Sequence, residues 1–432
     1  MSCSTRPRGR GCHVASIVVC ALWLSSSPAA AQDLEPPLDL HRAVQQAVQR
    51  AAGLEALHAS ARGWRESAVA AGQLPDPMLR LSLDNVPVAG AERFSLTRDS
   101  MTMRSIGVMQ TFTRADKRRA RATRAEREAE AALAERDARA ALVQREAAFA
   151  WFERRAQEQR VAVLREHLAV AQQQVEAADA AVRGGRGALV DAIGARDAVV
   201  QLRQALLAAE AQVTSARRSL ARWSGTAPEL PLAAAPPITR LNADAERPEA
   251  IAGHPDLAQW AARVAVADAA VELARQEREP DWSAELMFSQ RGPGYANMVS
   301  VAVSLPLPWD RPQRQDRELA ARLADVQALR AEREEREREL RAELGRWADG
   351  WRAGLVRLAL IDGEREPLAR QRIDAALAAY RGGGAPLAQV LEMRRSALAL
   401  QFERIDVEVE TARLWASLEF LTPDTAALAA KE

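Results

Sequence analysis

The feature that most constrains the fold is a stretch of about 70 residues, 113–183, that contains neither proline nor glycine. It is rich in alanine, arginine and glutamate, which favour helix, and as one continuous helix it would be roughly 100 Å long. Aromatic residues make up only 4% of the chain, so few bulky side chains are available for a large compact core. The sequence therefore predicts long helices that pack along their lengths.

Apolar residues within this stretch step by seven in two series. The series are offset by two residues, about 200° around a helix, so they lie on nearly opposite flanks. A two-stranded coiled coil needs one apolar stripe, whereas a helix in a closed ring has a neighbour on each side and needs two. The first series is Leu142, Phe149, Ala156, Val163, Val170 and Ala177, and the second is Leu133, Ala140, Ala147, Arg154, Val161, Leu168, Val175 and Val182.

The second half of the chain repeats this organisation. Residues 182–193 read VRGGRGALVDAI and residues 380–391 read YRGGGAPLAQVL, and the two segments align without a gap at a spacing of 198 positions. A second long helix is predicted over 313–381, with a kink at Pro367. Two structural repeats are expected at 32–224 and 255–421, with a proline-rich linker at 225–254 and a tail at 422–432. Shorter helices are predicted at 39–73, 188–223, 255–278 and 387–421.

A strand pattern precedes each long helix. Alternating apolar and polar residues predict one hairpin within 78–112 and another within 282–305. Strands of this length and pattern suit an outer-membrane barrel, but four of them cannot close one. We therefore expect three chains to share a twelve-stranded barrel. Its lipid-facing residues are predicted to include Leu79, Leu81, Leu83, Val299, Val301 and Val303.

The first 31 residues have the layout of a secretory signal peptide. Three arginines precede an apolar run at 14–24, and small residues precede a cleavage site before Gln32. All three cysteines lie in this segment, so the cleaved chain has no disulfide, thiolate ligand or cysteine nucleophile. Loss of three arginines takes the formal charge from +1 to −2, which gives no reason to expect nucleic acid as a partner. Val19 is too large for the usual lipobox, which argues against lipidation of Cys20 without deciding it.

Motifs of catalysis and metal binding are absent from the sequence. It has no nucleophile elbow, phosphate loop or HExxH motif, so we expect neither an enzyme nor a bound cofactor. The histidines beyond residue 31 show no metal-ligand spacing, and no metal site is predicted. Met101, Met103 and Met109 are interpreted as ordinary apolar residues of a loop and strand, although thioethers can also bind Cu(I) or Ag(I).

With these elements in order, the chain resembles the TolC family of outer-membrane efflux channels over essentially its whole length after the leader. The resemblance rests on the order helix, hairpin, long helix, glycine turn and helix, executed twice. It also rests on PDPMLRLSLDNV and SIGVMQTF in the first half and PDWSAELMFSQ and SVAVSLPL in the second. The stretch from LPDPML to SIGVMQTFTRADKR is most similar to the heavy-metal members of the CzcC and CusC types.

The resemblance implies a mainly α-helical protein with a small β part, assembled as a homotrimer. Four strands per chain would complete a twelve-stranded barrel in the lipid of the bacterial outer membrane. The helices would form a long α-helical barrel in the periplasm, which docks onto a membrane-fusion adaptor and an inner-membrane pump of the resistance-nodulation-division (RND) class.

The two glycine turns would be the inner ends of this α-helical barrel. By position in the family's turn motif, Asp191 and Glu392 match gate or pore carboxylates, and Tyr380 matches an aromatic residue that holds the entrance shut. Gln389 departs from the pattern, because some relatives carry an acid there. A plain helix reversal, with both carboxylates solvated, is the simpler alternative. The residues expected to touch the adaptor are Arg183, Gly184, Gly185, Arg186, Arg381, Gly382, Gly383 and Gly384.

The predicted function is a passive exit duct for substrates, foremost heavy-metal cations, that the pump and adaptor deliver. A duct for drugs or other organic compounds is the alternative. A periplasmic coiled-coil adaptor or scaffold fits less well, because an adaptor would need lipoyl-like and barrel segments in place of four amphipathic strands.

Overall fold

A computed structural model of the 432-residue chain describes residues 36–241 and 253–423. The predicted signal peptide, the linker residues 242–252 and the tail residues 424–432 lie outside the described residues. The helices are α1 (Leu40–Arg50), α2 (Ala52–Ala71), α3 (Ala115–Arg183), α4 (Leu189–Ser224), α5 (Pro255–Glu277), α6 (Gln315–Leu360), α7 (Glu366–Arg381) and α8 (Leu387–Glu419). The strands are β1 (Met78–Asp84), β2 (Met103–Phe112), β3 (Trp282–Gln290) and β4 (Met298–Ser304).

The long helix α3 is the centre of the helical part. It packs against α4 and α8, and α8 in turn packs against α6 and α7. It also packs against α2 and α5, and α5 packs against α6. Two series of neighbouring helices therefore include α3: α4, α3, α8, α6–α7 and α2, α3, α5, α6. No helix of residues 36–241 or 253–423 is both long and apolar enough to span a membrane.

The two apolar stripes of α3 have different surroundings. Ala140, Ala147 and Val161 of the second series are buried within the chain. The first series lies along an open cleft between α3 and α6–α7, whose floor is α8. Its Leu142 is 38% exposed. One stripe is thus used inside the chain, and the other is only partly covered.

The polar break in the buried stripe is Arg154, which is 1% exposed. Its Nη2 donates to the carbonyl oxygen of Leu230 at 2.6 Å, and its Nε donates to Glu158 at 3.0 Å. Glu158 also accepts from Nε of Arg217 at 3.1 Å. A buried charge is tolerated when it is paired and hydrogen-bonded in this way, so the arginine ties α3 to the segment after α4.

Two tryptophans anchor the long helices to the chain that precedes each half. Nε1 of Trp151 in α3 donates to the carbonyl oxygen of Leu38 at 3.0 Å. Nε1 of Trp351 in α6 donates to that of Ile238 at 2.8 Å. The two tryptophan donors are 200 positions apart in the sequence, and so are the two carbonyl acceptors. Trp151 is completely buried beside Phe152, whose ring it meets edge to face.

Two predicted helices are interrupted in the structure. The helix predicted at 39–73 breaks at Ala51, whose backbone is extended, so α1 enters the main core while α2 packs along α3. The helix predicted at 313–381 contains a π-helical turn at Ile361–Arg365, directly before Pro367. Proline has no N–H and its ring clashes with the carbonyl four residues earlier, so the hydrogen-bond ladder widens at this point.

The four strands form one antiparallel sheet in the order β1-β2-β3-β4. Its register aligns Leu79, Val108, Leu286 and Val301 in one row across all four strands. The next row on the same face is Leu81, Ile106, Phe288 and Val299. We call this side the apolar face, and its residues are largely exposed, with Val301 at 73%. No strand among the described residues covers the outer edge of β1 or β4.

The opposite side, which we call the polar face, carries the alternate residues. Arg80 pairs with Glu285 at 3.3 Å across the strands, and the hydroxyls of Ser105 and Ser289 are 2.8 Å apart. The sheet is therefore apolar on one side and polar on the other, as the alternation of the sequence predicted.

Candidate functional site: the paired glycine turns

The first turn follows the last residue of α3, Arg183. The N–H groups of Gly184 and Gly185 donate to the carbonyl oxygens of Ala180 and Val182, each at 3.0 Å. Gly185 has a φ of +69°, in the left-handed region that glycine adopts without strain. This residue reverses the chain and allows α4 to run back along α3.

The second turn, between α7 and α8, has the same construction. Gly382 and Gly383 donate to the carbonyl oxygens of Ala378 and Tyr380 at 2.9 and 3.1 Å. Gly383 has a φ of +74°, and it stands 198 positions after Gly185. The aligned sequence segments therefore form turns of the same type.

The turns differ at one position. The N–H of Gly187 donates to the carbonyl oxygen of Ala181 at 3.0 Å, and a Cβ at position 187 would lie only 2.9 Å from Cβ of Ala181. The aligned residue of the second turn is Ala385. The first turn is therefore closed more tightly and requires glycine where the second has alanine.

The eight residues predicted to touch an adaptor, here called the tip residues, are all exposed. None of the three guanidinium groups, Arg183, Arg186 and Arg381, has an ion-pair partner among residues 36–241 and 253–423. Positive charge and exposed glycine backbone thus share one end of the molecule.

Beneath the turns, α3, α4, α7 and α8 share a small core. Val182 and Tyr380, which occupy aligned positions in the two segments, both pack half-buried against it. The structure therefore brings the two turns together at one end of the helical part. The buried residues of this core are Ala178, Ala192, Ala195, Ala376, Leu387 and Val390.

The carboxylates predicted for the entrance have different environments. Asp191 is half-buried in the first turn of α4, where the helix dipole favours negative charge, and it has no ion-pair partner in the described part of the chain. Glu392 is exposed and pairs with Arg395 at 2.8 Å. Gln389, which aligns with Asp191, is exposed. The two acids lie on different helices, and no described bond joins them.

An apolar seam on α4 was missed by the sequence reasoning. Ile193, Val200 and Leu207 step by seven along one exposed flank, and Leu189 and Val190 extend the seam toward the turn. Val190 is 72% exposed. The seven-residue spacing could have identified it, as it did for α3. The seam is open because α4 is the last helix of the layer.

The surroundings of two charged groups in α8, Arg394 and Glu403, lower their pKa values. Burial lowers the pKa of Arg394 from its ordinary value, with Asp374 acting in the opposite direction. A hydrogen bond from Arg365 in the π-helical turn lowers the pKa of Glu403, and the two side chains meet at 2.6 Å.

Within 36–241 and 253–423, no cluster of three or more His, Cys, Asp or Glu side chains could hold a metal ion.

Comparisons with known proteins agree with this geometry. Residues 43–226 match the model of the outer membrane efflux protein family. The fold is similar to that of the outer-membrane channel OprN, with a TM-score of 0.73, 18% identity, and 88% of this chain and 89% of that chain covered. VceC from Vibrio cholerae gives a TM-score of 0.72 and 19% identity over 88% of this chain and 95% of that one.

A third similar structure is CusC, with a TM-score of 0.72 and 16% identity over 88% of this chain and 91% of that chain. No curated protein matches the sequence. At these identities the structural likenesses show the fold, while the sequence match to the family model extends over 43–226. Over residues 43–226 the chain thus matches the outer membrane efflux protein family, whose channels are transport proteins.

Proposed function

We propose that this protein is the outer-membrane exit duct of a tripartite efflux system. Its substrates would come from an inner-membrane RND-type pump through a periplasmic membrane-fusion adaptor. The observation that carries the proposal is the coexistence of an exposed apolar sheet face with long helices that end in paired, exposed turns. The match of residues 43–226 to the outer membrane efflux protein family supports the same function.

Three copies would close the duct. The free edges of β1 and β4 can pair between neighbouring chains, which gives twelve strands and leaves no open edge. In the helical layer, α4 of one copy would meet α6–α7 of the next. Both surfaces are apolar and exposed: the α4 seam on one side, and Val356, Leu360 and Leu368 on the other.

The apolar face would lie against the lipid of the outer membrane, and the helices would lie in the periplasm. Rows of exposed leucine and valine such as Leu79 and Val301 are costly in water and favourable in hydrocarbon. The polar face would then line the duct.

The tip residues would contact the adaptor at the periplasmic end. Arg183, Arg186 and Arg381 lack ion-pair partners in the described part of the chain, so they are available to acidic groups or carbonyl oxygens of a partner. The glycines leave backbone accessible between them.

The entrance would be gated just above the tip residues. Three-fold symmetry turns Asp191 and Glu392 each into a ring of three carboxylates, and such rings raise the local concentration of cations. The absence of an ion-pair partner for Asp191 among the described residues supports this role more strongly than the paired state of Glu392 does. Tyr380 would pack in the closed entrance, with Gln389 beside it as a neutral residue.

We infer that the substrates are heavy-metal cations, because carboxylate rings favour cations and the stretch 74–118 resembles metal-efflux members. The alternative substrates are drugs or other organic compounds. Deletion of the gene, followed by growth on a panel of metal salts and organic drugs, tests both. We expect increased sensitivity to metals. Drug sensitivity without metal sensitivity would contradict the metal substrate, and no change in either would contradict the efflux function.

A further inference from the structure

The methionines of the sheet are confined to one face. Seven methionines follow the leader, and five of them lie in strands. The register places all five on the polar face, whereas the apolar face carries mainly leucine, isoleucine, valine and aromatic residues and no methionine. Methionine used as apolar filler would be expected on the apolar face. The five are Met78, Met103, Met109, Met287 and Met298.

Three of these methionines are neighbours across three strands. Met78 in β1 is directly opposite Met109 in β2. Met287 in β3 is opposite Gly107, two residues from Met109, so these two methionines are diagonal neighbours. Directly opposed residues have Cα atoms about 4.5–5.5 Å apart and diagonal ones about 7–8 Å, which flexible methionine side chains can bridge.

Gly107 provides room for this arrangement. A Cβ at position 107 would lie 3.2 Å from Cβ of Met287 and 3.0 Å from the carbonyl oxygen of Leu286. Without it, the Met287 side chain reaches across β2, where its Sδ lies 4.0 Å from the hydroxyl oxygen of Ser82 in β1. That hydroxyl donates its proton to Asp84 at 2.9 Å. The Met287 sulfur therefore lies over the polar face, on the same side as Met78 and Met109.

The carboxylates near these methionines already have partners. Glu285, opposite Met109, pairs with Arg80, and its side chain is 11% exposed. Asp84 accepts from the hydroxyls of Ser82 and Ser105 at 2.9 and 3.1 Å. The thioethers thus offer neutral, soft sulfur ligands beside carboxylates that are ion-paired or hydrogen-bonded. Such ligands select Cu(I) and, by the same softness, Ag(I) over hard or borderline divalent cations.

We propose that Met78, Met109 and Met287 form a thioether site that binds soft monovalent metal cations, Cu(I) or Ag(I). Met103 and Met298, on the same face nearer the β1–β2 loop, provide a second step toward that end of the sheet. Neutral ligands in successive positions suit conduction, since each site must release the ion again. The inference deepens the proposed function and rests on it, because the polar face lines a duct only if the copies close.

The test is titration of the purified full-length protein in detergent with Ag(I), followed by NMR of ¹³C-labelled methionine methyl groups. We expect the resonances of Met78, Met109 and Met287 to shift and that of Met393, at the far end of the molecule, to stay in place. Zn(II), a borderline cation, serves as the divalent comparison and should leave all of them unchanged. Equal shifts of all methionines, or none, would overturn the proposal.

Substitution gives the second measurement. The triple variant Met78→Leu, Met109→Leu and Met287→Leu should weaken Ag(I) binding about tenfold or more, the scale on which metal-site changes act. Met101→Leu with Met393→Leu, outside the strands, is the matched control and should bind as wild type does. If the triple variant does not assemble, Met109→Leu alone must still weaken binding, and undiminished binding by either variant contradicts the site.

These outcomes are separable from the test of the proposed function. Ag(I) binding is measured without transport, whereas the deletion experiment measures efflux without assigning a site. Binding at the three methionines with no sensitivity of the deletion strain would contradict the duct. Metal sensitivity of the deletion strain with no Ag(I) binding would contradict the thioether site alone.

Discussion

Apolar residues step by seven in the long helices of both halves, α3 and α6, but the two helices differ in burial. The α6 series is Leu319, Val326, Leu340 and Trp347, with Arg333 as a polar break. α3 is continuous over 69 residues and has buried positions along its whole length, whereas α6 ends after 46 residues in a π-helical turn. The buried residues of α6 are Val326, Leu340, Trp351 and Gly354. α3 lies between α4 and α8, while α6 lies at the edge of the layer. Position in the layer, more than the heptad pattern, therefore determines which stripe is covered within one chain.

The two tryptophan anchors give the largest expected difference between the halves. Trp151→Ala should destabilise the protein by about 3–5 kcal/mol, because it leaves a cavity in the main core and frees the carbonyl of Leu38. Trp351→Ala should cost less, since Trp351 is 7% exposed and lies nearer the edge of that core. Thermal unfolding of the extracted protein measures both. Equal losses would show that the edge position of α6 does not matter.

In the sheet, substitutions in the two halves should cause similar losses of stability. Leu81→Arg in β1 and Val301→Arg in β4 each place a charge on the apolar face, which should cost about 2–4 kcal/mol if that face meets lipid near the bilayer midplane. Ser300→Arg, on the polar face of β4, is the control and should be tolerated. Resistance of the assembled protein to heat and detergent reports the effect. A variant of the apolar face that is as resistant as wild type would contradict the lipid assignment.

At the tip, the two turns should respond alike at one position and differently at another. Gly185→Ala and Gly383→Ala each force a left-handed φ on alanine, at a cost of about 1 kcal/mol or slightly more. Gly187→Ala should also destabilise the first turn, because the new Cβ would clash with Cβ of Ala181. The second turn already carries alanine, Ala385, at the aligned position. The rates of hydrogen exchange of the backbone amides in each turn would measure how far each substitution destabilises that turn. Unchanged protection in Gly187→Ala would contradict the tighter first turn.

The smallest effect concerns the caps of the helices α1 and α5. Asp39 caps α1 by accepting from the N–H of Arg42 at 2.7 Å, whereas His254 caps α5 through Nδ1, which accepts from the N–H of Asp256 at 3.2 Å. Burial lowers the pKa of His254 from its ordinary value of 6.5, with Asp256 acting in the opposite direction and Arg336 in the same one.

The unfolded chain therefore binds this proton at a higher pH than the folded one. The contribution of His254 is complete above about pH 6.5 and declines as the pH falls through the range between the two pKa values. His254→Asn keeps a capping acceptor without titration, so we expect it to lose less stability on acidification than wild type does. Identical pH profiles of unfolding for the two proteins would exclude the histidine as the cause.

Much of this architecture follows from local sequence signals. The glycines of 182–193 and 380–391 specify left-handed positions, and an uninterrupted run of good helix formers specifies α3. The break at Ala51 has only a weak signal, because no proline occurs there and the nearest glycine, Gly53, lies in the first turn of α2. The π-helical turn before Pro367 was expected only as a kink, since proline disrupts the ladder without dictating how the helix recovers.

The candidate site at the glycine turns was harder to predict from the sequence, because its properties depend on which side chains contact one another in the folded chain. Asp191 and Glu392 were placed on the correct helices, but only the structure shows that Glu392 pairs with Arg395 while Asp191 has no described partner. The face on which each methionine lies follows from the alternation within its strand, but which methionines are neighbours requires the register of the strands, which short alternating segments do not determine. Lining of the entrance remains a prediction, since it depends on the other copies.

The central claim is that three copies close the sheet into a barrel in the outer membrane. Within one chain β1 and β4 are separated by two strands, about 14 Å at the usual strand spacing, which is too far for a disulfide. The most direct test is disulfide trapping in outer membranes of Leu81→Cys combined with Val299→Cys, Val301→Cys or Val303→Cys, because the native cysteines all lie in the predicted leader. The account predicts that at least one pair yields a covalent species of three chains and no larger product. Chains that stay monomeric in all three pairs, or a ladder that extends beyond three, would contradict it.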